Sequence, residues 1–97
     1  MRKEAEYCFK QAEEDLITAQ VNLDMKRYYA SVFFSQQCAE KALKAACIEK
    51  LRTLPQTHNL IELAKMLNAP EEIMRCVREL NPEYLTTRYV DAANGIP

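Results

Sequence analysis

A chain of 97 residues has room for one domain and no second, and folding would bury roughly 60 to 70% of the surface its unfolded form exposes. One glycine, four prolines and abundant Ala, Leu, Glu and Lys argue against a turn-rich sheet protein and for helices with short connections. Thirteen basic and fourteen acidic residues give a formal charge of −1, so the field of the whole molecule does not attract nucleic acid and any such contact must be local.

In the first segment Ala5, Phe9, Ala12, Leu16, Ala19 and Leu23 recur at alternating steps of four and three, the stripe of a helix in a bundle. Glu13, Glu14, Asp15 and Asn22 fall outside it. The spacing predicts a helix from about Arg2 to Asp24, a joint at Met25 to Arg27, and a second helix from Tyr28 to about Leu51. Two long helices with so short a link fold back as an antiparallel hairpin.

Between Tyr29 and Ile48 this second helix is almost wholly apolar or small, yet Gln36, Gln37, Glu40, Lys41 and Lys44 fall on one narrow face. The rest of the circumference, including Phe33, Phe34, Leu43 and Ile48, is more apolar surface than one partner helix covers. The helix is therefore central or shared with a second subunit. Beyond Leu51 the pattern breaks, then restarts with Thr57 as N-cap before Leu60, Ile61, Leu63, Ala64 and Leu67. Asn68 to Pro70 ends that short helix, and Pro70, Glu71 and Glu72 open a fourth, with Ile73, Val77 and Leu80 on its inner face and Asn81-Pro82 as its stop. Glu83 to Pro97 has no clear period and reads as mostly loop. No repeat or low-complexity segment interrupts the domain, which takes in residues 1–97.

No run of about 18 uncharged apolar residues is present, and acids stand near the start where a secretion signal would be apolar, so a soluble, cytoplasmic protein without membrane contact is expected. Cys8, Cys38, Cys47 and Cys76 form no C-x-x-C pair and read as buried reduced thiols. One glycine and one histidine leave no phosphate-binding glycine loop, no zinc set and no nucleophile with its base, and no metal or cofactor is expected.

Four pieces of the chain resemble the HEPN domain family, the higher eukaryote and prokaryote nucleotide-binding domain. They are A-E-x-D-L from Ala12 to Leu16, F-x-x-Q-Q-x-A-E-K-A-L-K-A from Phe33 to Ala45, T-H-N-L from Thr57 to Leu60, and Y-L-T-T-R-Y-V-D from Tyr84 to Asp91. The second piece is long and specific; each of the others is weak alone, but all stand in family order. The resemblance implies an all-α, up-and-down bundle built on a long helix hairpin plus two short helices, paired as a homodimer. It also implies a role beside a minimal nucleotidyltransferase, as its substrate- or nucleotide-binding partner. The family continues with another amphipathic helix after R-Y-x-D, and that helix is missing from a sequence that stops at Pro97.

Three sets of residues are candidates for chemistry. Gln37, Glu40, Lys41 and Lys44, with Gln36, suit a groove that meets an anion or a dimer mate, against the plainer reading of Glu40 and Lys44 as a helical ion pair. Arg88 and Tyr89, with Tyr84 and Asp91, suit phosphate gripping and base stacking, against a structural pairing of Arg88 with an acid such as Glu40. If Arg88 faces the second helix, the two sets form one nucleotide or RNA site. The third set, Arg52 and His58, has the R-x5-H spacing of the ribonuclease branch, often toxins and metal-independent. Its position between helices two and three, and the lack of a histidine after Arg88, favour instead a His58 that bonds locally and packs on helix two. The favoured function is a binding module and not an enzyme; the alternatives are a toxin-type endoribonuclease and a purely structural dimerisation module.

Overall fold

The computed structural model describes residues 1–82, which form four helices: α1 (Lys3–Asp24), α2 (Tyr28–Leu51), α3 (Leu60–Met66) and α4 (Glu71–Leu80). The loop expected over Glu83 to Pro97 lies outside these residues, as do Tyr84, Arg88, Tyr89 and Asp91. α1 and α2 pack along their length as an antiparallel hairpin, while α3 and α4 pack on each other and on α2. The all-α hairpin architecture is thus the observed one.

The hairpin turn follows from backbone geometry. Lys26 takes a left-handed φ of 61°, its N–H donates to the Leu23 carbonyl and that of Arg27 donates to Asn22, the paired bonds that close a helix C-terminus. Asn68, with φ 52°, closes α3 in the same way through bonds to Lys65 and from Ala69 to Ala64. Three long-range bonds set the register of α1 on α2: the Arg2 amide to Glu49 Oε1 (2.8 Å), the buried Ser31 hydroxyl to the Ala19 carbonyl (2.8 Å), and Lys41 to Asp15 (2.6 Å).

The predicted stripe of α1 is half buried and half exposed. Ala5, Ala12 and Ala19 are buried, whereas Phe9, Leu16 and Leu23 remain 44, 58 and 47% exposed. Alanine lets two helix backbones approach closely, so the contact centres on the alanine row and the larger side chains are displaced to its flank. On α2, Ala45, Cys47 and Ile48 are buried, but Val32 and Phe33 near the N-terminal end are exposed, with Phe33 edge-on to Phe34 at 5.2 Å between ring centres.

The other core joins Leu60 and Ala64 of α3 to Val77 of α4, with Ala39 and Leu43 of α2, Met74 and Leu80 packed around them. Three expectations differ here. Asn59, not Thr57, caps α3, because its Oδ1 accepts the Ile61 and Glu62 amides while the Thr57 hydroxyl accepts the Asn59 amide. Ile73 is exposed and its neighbour Met74 packs inside in its place, while Val77 and Leu80 of the predicted row do face the core. Of the free cysteines Cys47 is buried and Cys8 and Cys38 half-buried, but Cys76 is exposed on the outer side of α4.

Candidate functional site

The polar residues of α2 are half-buried and divide among three neighbouring elements. Gln36 reaches α4, where its amide donates to the Leu80 carbonyl at 3.2 Å. Lys41 reaches α1 and Asp15, whose side chain is 13% exposed. Gln37 lies on the same face, three and four residues before Glu40 and Lys41. Glu40 and Lys44 are one turn apart, Nζ donating to Oε2 at 3.0 Å.

His58, from the connection before α3, places Nδ1 2.8 Å from that same Glu40 Oε2. An ionised carboxylate only accepts, so the bond requires the imidazole proton on Nδ1 and leaves Nε2 outward. The expected contact with helix two is therefore present, made at the tip of a side chain that stays 79% exposed. Burial is the largest influence on Glu40 and opposes its charge. Hydrogen bonds from His58 and Lys44, with the positive charge beside them, outweigh it and hold the carboxyl below its ordinary range. Burial, with Asp15 nearby, pushes the Cys38 thiol up, against a smaller opposite effect of Lys41.

The start of α3 offers nothing further to an anion. Asn81, 4% exposed, accepts the Leu60 amide on Oδ1 at 3.1 Å, and Asn59 holds the next two amides. Arg52 is exposed at the left-handed end of α2, φ 56°, and forms no ion pair among the described residues. It forms no hydrogen bond or ion pair with the Glu40 cluster among the described residues. Sequence reasoning missed two members of this region. Asp15 lay in a family-like motif and off the apolar stripe, which marks it as polar on a packed helix; Asn81 carried no signal beyond a helix stop. Among the described residues no cluster of histidine, cysteine or carboxylates has the makings of a metal site, and no helix is long and apolar enough to cross a membrane.

The fold and this seam define an all-α hairpin module whose charged side chains are tied to one another across three elements. The sequence model of the HEPN domain family matches residues 5–95, and the chain belongs to that family. A relative from Methanocaldococcus jannaschii, named "Putative toxin MJ1304", is 52% identical over 46 residues, which make up 47% of this chain and 30% of that protein. The match thus spans less than a third of the relative's length. No solved structure gave a significant match.

Proposed function

We propose that this HEPN domain is a binding module that acts as a homodimer, the nucleotide- or substrate-binding partner of a minimal nucleotidyltransferase. The observation that supports this reading best is the unpaired apolar surface of the hairpin: Phe9, Leu16, Ile17 and Val21 of α1 and Val32 and Phe33 of α2 are all more than a third exposed in one copy. The ligand face is that of Gln37, Glu40, Lys41 and Lys44, to which Arg88 and Tyr89 would add. Ligands that bind the folded state raise its melting temperature by linkage. ADP or ATP at millimolar concentration, at pH 6 and at pH 7.5, is expected to raise the melting temperature of the wild type and to do so less in Arg88→Ala. No shift at either pH removes the nucleotide from the account.

The relative named as a toxin supports a second reading, for which the R-x5-H pair Arg52 and His58 is this chain's own candidate: a metal-independent endoribonuclease. Mixed RNA incubated with the protein in chelator separates the two. The binding-module reading predicts intact RNA; cleavage that disappears in both Arg52→Ala and His58→Ala establishes the enzyme.

A further inference from the structure

Phe9, Leu16 and Leu23 stand at steps of seven on α1, and in one copy they remain 44, 58 and 47% exposed. Steps of seven drift by only about 20° around a helix, so the three side chains form one narrow row. At 1.5 Å per residue that row is about 21 Å long. It reads the same in both directions, with one large apolar side chain at the centre and another seven residues to either side. A second α1 laid antiparallel about Leu16 sets Leu16 on its own copy and Phe9 on Leu23 twice over, the self-complementary contact that a two-fold pair requires. The charges toward the ends distinguish the two directions. Glu6 and Lys26 lie ten residues before and ten after Leu16. Antiparallel pairing brings each level with the opposite charge of the other copy and opposes the helix dipoles, whereas parallel pairing aligns the dipoles and sets like charges side by side. Glu6 also holds Lys10 at 3.1 Å, an exposed pair that engages one of its two carboxylate oxygens.

We propose that two copies of this chain meet along this row, α1 antiparallel to α1, with the two-fold axis at Leu16. The inference rests on the homodimer reading above and names the seam through which the copies join. Leu16 then faces its own copy and each Phe9 faces the partner's Leu23, while the two Phe9 positions are separated along the helix by about 21 Å.

A disulfide forms only where two Cα atoms come within about 7 Å, so cross-linking under mild oxidation, read on non-reducing gels, maps the seam. The background is Cys76→Ser, which removes the exposed native thiol. In it, Leu16→Cys is expected to give a cross-linked pair, and Phe9→Cys or Leu23→Cys alone at least about fivefold less. A mixture of Phe9→Cys with Leu23→Cys is expected to recover the cross-link. Light scattering on the reduced proteins gives the mass of each beside wild type. Leu16→Cys shortens the central side chain, so where the two results differ the mixture, which keeps Leu16, decides. Phe9→Cys that cross-links with itself overturns the antiparallel direction. A wild type of twice the chain mass, with no cross-link in the mixture, overturns the seam and leaves the homodimer standing. A wild type of single mass overturns both.

Discussion

Glu40 is the residue on which the polar face turns, since a single oxygen receives both Lys44 and His58. Against the opposing effect of burial, hydrogen bonds from His58 and Lys44 hold its carboxyl below the ordinary carboxylate range in the folded state. The sign follows: a depressed folded pKa contributes stability that is complete above the unfolded value and is lost as pH falls through the folded one. Glu40 is therefore expected to add nothing to the pH dependence of melting between pH 5 and 8, and to add acid sensitivity below about pH 4 that is reduced in Glu40→Gln. Melting curves of the two proteins from pH 2.5 to 8 check this; equal acid sensitivity contradicts it. The thiols give a second test. Burial raises Cys47 and Cys38 and so disfavours their reactive thiolates, whereas Cys76 is exposed. Alkylation of the native protein followed by peptide mass analysis is expected to modify Cys76 well before Cys47.

Among the elements, α3 and α4 depend on one buried amide. Asn81 Oδ1 holds the Leu60 N–H, while the Gln36 side chain holds the Leu80 carbonyl next to it. Asn81→Leu leaves the Leu60 donor buried without a partner and is expected to cost about 1 to 3 kcal/mol in denaturant unfolding; Gln36→Ala, at a half-buried acceptor, is expected to cost less. A neutral Asn81→Leu contradicts this account of the junction. The existence and type of the four helices were legible in the sequence from apolar period in α1 and α2, and from apolar residues with the Pro70 and Asn81-Pro82 punctuation around α4. The failures share one cause. Periodicity gives the direction of an apolar row but not the distance between helices, so the alanine row of α1 took the contact and Phe9, Leu16 and Leu23 did not. Likewise Ile73 and Met74 are adjacent apolar residues, and only the docking of α4 on Leu60 and Ala64 chooses between them. At the site, the Glu40 and Lys44 pair was readable from spacing. The link from Asp15 was not, nor was Glu40 as the residue of helix two that His58 meets, because both join residues far apart in sequence.

At the scale of the whole molecule, the hairpin buries its alanine row and leaves several of its large apolar side chains exposed. Apolar surface removed from water stabilises by roughly 25 cal/mol per Å². Several half-exposed Phe, Leu, Ile and Val side chains on α1 and α2 are thus a sizeable driving force for association. We propose that a second copy of this chain covers them. Light scattering coupled to size exclusion, at micromolar concentration, tests it most directly with wild type beside a Phe9→Asp, Leu16→Asp double variant, whose sites are exposed and leave the monomer fold intact. The account predicts twice the chain mass for wild type and the single mass for the variant, with helical content unchanged by circular dichroism. A wild type that elutes as a monomer contradicts it.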